Sequence, residues 1–207
     1  MGNKLIYGCQ NFCAIPHVVS SNVRSLGTPV SLDSMGLVNV DPALTEEINT
    51  LYADNKKWAS FPAAKEYAVK LAFRYLSALY VSYVGFKVST SNGGISDSGN
   101  YPDHAICYES LEFDDETKTE TRTLHYYYNV TAKRPTVALD TKQGNQQSDS
   151  ALINIELTAE DCDFIFDEDG KKVAYFEITR TAENAALYDS FITAAILPTS
   201  EIPDSQG

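Results

Sequence analysis

The 207-residue chain has no long apolar run, no phosphate-cradling glycine loop, no nucleophile elbow and no paired-histidine metal motif. Nothing in it approaches the roughly 20 apolar residues of a transmembrane helix, so no membrane partner is expected. The N-terminal stretch carries one lysine and no apolar run long enough for a signal peptide, so the expectation is a chain folded in a cytoplasm. Cysteine is sparse: Cys9, Cys13, Cys107 and Cys162 are scattered in apolar, strand-like settings and read as small buried hydrophobes of a reducing compartment. A Cys9/Cys13/His17 metal site fails on geometry, because alternation along a strand does not converge those side chains. The three histidines are isolated, and His125, set among tyrosines within a strand, reads as packed or interfacial. Asn129-Val-Thr131 is formally a glycosylation acceptor, without meaning in the absence of a secretory signal. Catalysis is therefore not the expected class, and no cofactor is expected.

Basic residues are also few, and the net charge of −12 is unevenly spread. Asp97 to Thr121 holds eight acids and one lysine, a net of −7; Asp149 to Asp169 holds eight acids and no base, a net of −8; the remainder is +3. A nucleic-acid grip needs clustered Lys and Arg, so this polarity argues against one. It permits a surface that DNA passes without sticking, and it equally suits acidic loops kept for solubility. The acids of DCDFIFDEDG lack the spacing and closing glutamate of a calcium loop.

What is present is alternation. Leu124 to Val130 is aromatic and β-branched, with Leu124, Tyr126, Tyr128 and Val130 on one face and His125, Tyr127 and Asn129 on the other. Pro135 marks an edge or a bulge. A polar link, Asp140 to Ser150, leads to a returning strand with Ile153, Ile155 and Leu157 inward, so Arg122 to Leu157 reads as a long antiparallel hairpin. Lys4 to Cys9, Met35 to Val40 and Ala105 to Phe113 read as further strands. Glu66 to Tyr75 is the clearest, with Tyr67, Val69, Leu71, Phe73 and Tyr75 inward. Cys162 to Asp167 and Lys171 to Thr179 flank an Asp-Gly turn and predict a hairpin. Leu76, Leu79, Tyr80 and Tyr83 recur at helical spacing before Gly85, predicting a short helix, and Thr181 to Ala194 predicts another. Asp41 to Pro62 has weak periodicity and reads as a long loop, in which Thr45 to Leu51 could form a helical turn. Trp58, the single tryptophan, lies in it, where it could anchor a partner or pack on its own domain. Glu201 to Gly207 reads as a frayed tail.

HYYYNVTAKRP, its polar link and the returning ALINIELTA strand resemble a segment of the major tail tube protein family of long-tailed (siphovirus-like) bacteriophages. KLIYGCQNF, LYADN, AICYESLE and YDSFITAAILPT follow the same family's order, so the resemblance spans nearly the whole chain, although Trp58 to Ala64 and Ile95 to Asp103 look lengthened or reshuffled. The resemblance implies a mainly β, antiparallel β-sandwich or barrel with one or two short flanking helices, as a single domain over residues 1–207. It implies a structural virion protein whose six copies close into rings stacked as a hollow tube that conducts the genome at ejection. Its partners would be further copies, the tape measure and tail terminator proteins, and viral DNA passing without specific binding; it would be assembled in the host bacterial cytoplasm and reside in the virion tail. Leu51, Tyr52, Asp54, Asn55 and Trp58 are the expected inter-subunit contacts. Glu109, Glu112, Glu120, Glu156, Asp161 and Asp163 are the expected acids of the channel wall. Two alternatives stand beside this reading: an isolated β-sandwich that binds carbohydrate or protein through exposed tyrosines, and the tube of a contractile injection machine.

Overall fold

A computed structural model describes residues 4–45, 48–53, 56–62, 66–137 and 152–200. The polar link 140–150, the residues Asp54 and Asn55, and the tail 201–207 lie outside the described residues. In chain order the strands are β1 (Lys4–Ser20), β2 (Val23–Leu26), β3 (Val30–Ser31), β4 (Leu37–Thr45), β5 (Ile48–Ala53), β6 (Lys56–Pro62) and β7 (Glu66–Phe73). They continue as β8 (Phe86–Val88), β9 (Ile95–Asp97), β10 (His104–Asp114), β11 (Thr119–Ala132), β12 (Thr136–Val137), β13 (Ile153–Ala159) and β14 (Tyr175–Thr179). A five-residue helix, α1 (Ala185–Asp189), is followed by a 3-10 turn over Ser190–Ile192. The fold is mainly β and antiparallel, as expected.

The main sheet runs β2-β1-β10-β11-β13-β7-β4, with β3 beside β1, β12 beside β13 and β14 beside β11. It curls so that β4 returns alongside β1, and the resulting barrel encloses Phe12, Leu32, Met35, Val69, Leu71, Phe73, Tyr80, Ile106, Tyr127 and Ile155. The other side of the β1-β10-β11 ribbon is also covered. There Cys13, Ile15, Ala105, Cys107, Leu124, Tyr126 and Tyr128 meet Cys162, Ile165, Tyr188, Phe191 and Ile196 from the C-terminal segment. A ribbon buried on both faces must be apolar at successive positions, which is why Tyr126, Tyr127 and Tyr128 are all nearly inaccessible.

Two bulges set which residue faces which core. Between Gln10 and Cys13, β1 advances three residues while β10 advances two, and Asn11 takes φ 55° there. Cys9 therefore packs toward the barrel, and beyond the bulge so do Phe12 and Ala14. Between Tyr127 and Val130, β11 likewise advances three residues against two. Val130 and Ala132 thereby join Tyr127 in the barrel, and the expectation that Val130 shares a face with Tyr126 and Tyr128 is corrected.

Other expectations change in instructive ways. The long hairpin holds where Val130–Ala132 meets Leu157–Ala159 and where Thr136–Val137 meets Ile153–Asn154; nearer its start, Thr123–Tyr127 pairs instead with Thr179–Tyr175 of β14. The stretch from 162 to 174 doubles back as expected but forms no regular strand pair. It is joined by a bridge between Phe166 and Lys172 and by main-chain bonds from Cys162 N–H to Val173 O, Val173 N–H to Ile165 O and Asp167 N–H to Lys171 O. At its tip Asp167 Oδ1 accepts from the Asp169 and Lys171 main-chain N–H groups, so one of the acids of DEDG builds a turn. The helix expected over 76–84 is a series of turns, with Tyr80 N–H and Val81 N–H both donating to Ser77 O. Leu79 is 62% exposed, so the apolar spacing there marks no single buried face. Gly85 ends these turns at φ +80°, and a Cβ on it would lie 2.5 Å from the Tyr101 ring. Tyr75 is 57% exposed because β7 stops at Phe73.

Asp41 to Pro62 is not a loop. β4 runs to Thr45 along Glu66–Phe73 of β7, and β5 and β6 then pair as a two-stranded arm in register Ile48 with Pro62 through Ala53 with Lys56. Backbone pairing satisfies the main-chain groups of a segment whose side chains show little periodicity.

Candidate functional site

The expected assembly residues fall on this arm. Leu51 and Tyr52 lie on β5 and Trp58 on β6, with a register shift between Leu51 and Tyr52. The arm forms a sheet of its own, and a lone two-stranded ribbon is only marginally stable in water. β4, from which it springs, closes the strand order of the main sheet; seven of its nine residues are exposed, and Val38 and Leu44 are 42% and 47% exposed. A long edge with no second ladder partner among the described residues is a template for another strand.

The expected channel acids do not converge. Glu109 is a correction: it is 2% exposed and cannot line a channel wall. Its Oε1 accepts from Tyr188 Oη at 2.8 Å, and its Oε2 from Gln10 Nε2 at 2.5 Å and Asn11 Nδ2 at 2.9 Å. The β1 bulge delivers that Asn11 amide, so Glu109 pins the bulge and α1 to β10. Glu112 pairs across the ladder with Thr121, whereas Glu120 pairs with Phe113, one step further along. The two acids consequently sit on opposite faces of the ribbon. Glu156 points outward from β13 toward Lys133 at 3.4 Å, and Asp163 is ion-paired with Lys172. Asp161 is half-buried beside the fully buried Cys162.

A polar cluster at the barrel mouth escapes any linear motif. Ser110 on β10 faces Thr123 and His125 on β11 faces Tyr108, so the two are diagonal neighbours two rungs apart on one face, and the Ser110 Oγ to His125 Nε2 distance is 2.7 Å. His125 Nδ1 is 2.8 Å from Tyr175 Oη, which donates to Glu177 Oε2 at 2.6 Å. That carboxylate oxygen is 3.7 Å from Nδ1. The imidazole is held between the Tyr108 ring, stacked at 4.9 Å, and the Tyr175 ring at 6.1 Å. Burial lowers the His125 pKa and the Glu177 charge partly offsets this. Ser110, His125 and Tyr108 form one wall of a cavity of about 410 Å³, closed by Cys9, Val38, Val40 and Pro42 from β1 and β4. The signal in sequence would have been a serine and a histidine on neighbouring strands in matching alternation, which only the strand register reveals.

The remaining histidines are structural. His104 is fully buried, its Nδ1 near Pro102 O at 3.0 Å and its Nε2 near Tyr80 Oη at 2.9 Å, and burial depresses its pKa to about 4. With Nδ1–H donated to the carbonyl, Nε2 accepts from the tyrosine. His17 Nε2 meets Tyr128 O at 2.8 Å, and its ring packs edge-on against Phe164. Cys9 packs toward the barrel while Cys13 lies in the second core, on the opposite side of β1.

No family model matches the chain, and no curated protein matches it.

Proposed function

We propose that this chain is a structural assembly subunit, the tail tube protein of a long-tailed phage, whose copies close into six-membered rings and stack as a tube. The observation that carries the reading is the nine-residue β4 edge continued by the β5–β6 arm. An open edge is a hazard in a free monomer and is satisfied when strands pair across subunits of a closed ring. The arm, marginal alone, gains its order from a neighbouring ring. The whole-chain resemblance to the tail tube family supports the same reading, with tape measure and terminator proteins as further partners. The acid-rich balance suits a conduit: DNA carries one negative charge per roughly 1.7 Å of duplex, and a wall of carboxylates holds no counterion-releasing contacts. Of the acids first considered, Glu109 contributes nothing to such a wall.

The test is negative-stain microscopy of concentrated purified protein. Rings or tubes are expected from the intact chain, and a folded, soluble, non-polymerising protein from a deletion of Glu46 to Lys57. Val38→Lys with Leu44→Lys, which puts charge on the β4 edge, gives the same outcome without shortening the chain. Normal tubes from both variants, or a persistently monomeric parent, would discard the reading in favour of an isolated binding module.

A further inference from the structure

The barrel mouth carries a second inference, independent of the tube reading. Proton bookkeeping along the cluster leaves a single neutral arrangement. Tyr175 has one hydroxyl proton and gives it to Glu177, so at the 2.8 Å contact Tyr175 Oη must accept, and His125 Nδ1 carries the ring proton. Nε2 is then a bare lone pair, and the 2.7 Å contact is Ser110 Oγ–H donating to it. Among the described residues the competing acceptor for that proton is Thr123 O, at 3.5 Å. A hydroxyl donating to a neutral imidazole whose far nitrogen is fixed by a third group is the arrangement of a base-activated nucleophile. Stacking between Tyr108 and Tyr175 holds the ring in place, and the serine opens onto a cavity of about 410 Å³ with apolar walls, a size that suits a small ligand.

We propose that Ser110 is a nucleophile activated by His125, reactive toward esters with a short apolar acyl group. In the step, Oγ bonds to the ester carbonyl carbon as its proton passes to Nε2. The imidazolium then protonates the departing alkoxide as the acyl carbon–oxygen bond breaks. Water repeats the sequence at the acyl-serine, releasing a carboxylic acid and restoring Ser110. Glu177 is a positioning residue: through Tyr175 it fixes the tautomer, and its charge steadies the imidazolium. The titratable groups around His125 are Cys9 of β1, Tyr108 of β10, and Tyr175 and Glu177 of β14.

The experiment uses the full chain and a small alkyl fluorophosphonate. Oγ–P forms, P–F breaks, fluoride leaves, and the serine proton goes to His125 and then to solvent. Intact mass and peptide mapping should show one phosphonyl group per chain, on Ser110, and none there in Ser110→Ala. His125→Gln should slow labelling by about 100-fold, the usual scale of a lost general base. Glu177→Gln should move the acid limb of the labelling rate to lower pH, because it removes the charge that holds the His125 pKa up, with an unchanged circular dichroism spectrum. Labelling of Ser110 no faster than of the other serines, or equal labelling of the parent and His125→Gln, overturns the proposal.

Discussion

The two faces of the β1-β10-β11 ribbon are held by different kinds of interaction. On the barrel face, neighbouring strands supply nearly every wall, so main-chain groups are satisfied by ladders and the side chains need only fill space. On the other face the cover is the irregular segment after Ala159, a five-residue helix and a 3-10 turn. That cover is fastened by individual polar contacts: Tyr128 Oη to Ile196 O at 2.6 Å, Tyr188 Oη to Glu109, and Asn184 Nδ2 to Thr179 O at 2.8 Å. The difference teaches where each face is vulnerable. The barrel should be sensitive to volume, and the flank to single hydrogen bonds.

The largest expected effect is on the barrel. Phe73 is fully buried and lies 5.1 Å from the Phe12 ring, centroid to centroid, so Phe73→Ala should cost about 3–5 kcal/mol in chemical denaturation. A loss below 1 kcal/mol would show that the barrel relaxes as freely as its cover.

The next is a pH effect on the same face. The folded His104 pKa of about 4 lies below the unfolded value near 6.5, so between them the unfolded chain binds a proton that the folded chain refuses. This stability is whole above pH about 6.5 and is lost as pH falls toward 4, by on the order of 3 kcal/mol. His17 and His125, also lowered by burial, act in the same direction. Denaturation midpoints at stepped pH should show the slope, and His104→Gln should flatten most of it.

On the flank, Tyr188→Phe should cost about 1–3 kcal/mol by leaving a buried carboxylate one donor short. Equal stability of this variant and the parent would remove the claim that polar fastening holds the cover.

The smallest effect sharpens that claim. The Tyr126 hydroxyl is buried and makes no well-formed hydrogen bond among the described residues; its polar neighbours are the Cys107 thiol, a weak partner, and the Ile196 main chain. Tyr126→Phe should therefore stay within about 0.5 kcal/mol of the parent or exceed it in stability, although the ring is as deeply buried as that of Tyr128.

Alternation made the strands legible wherever one register persisted: Glu66 to Phe73 and Ile153 to Leu157 read correctly because each has a consistent inner face, whereas Ala105 to Phe113 is a strand whose apolar start reflects burial on both faces. It failed at Val130, where an extra residue reverses the faces without leaving a mark in composition. It failed at Tyr80 too, whose helical spacing with Leu76 and Tyr83 reflects a tyrosine drawn toward His104 by a hydrogen bond from another part of the chain. The arm was missed because paired backbones need no side-chain periodicity. Trp58 stands out in the sequence as the single tryptophan and Tyr52 through the resemblance of LYADN, whereas Ser110 with His125 requires knowing that β10 and β11 are neighbours. Glu109 looked like one more acid of an acidic block; only the Asn11 bulge and α1 reveal it as a fastening point.

The bulges also make the ribbon a device that counts in twos. Adding or removing a pair of residues in the first half of β1 slides the strand yet returns every later side chain to its own core. Asn11 is the odd residue of its bulge, so removing it restores plain alternation and leaves Phe12 and Ala14 toward the barrel and Cys13 and Ile15 in the second core. An odd insertion or deletion that no bulge absorbs instead inverts every later side chain. A single-residue change of length is thus harmless to the faces where a bulge can form or dissolve, and is the structural equivalent of a frameshift where it cannot.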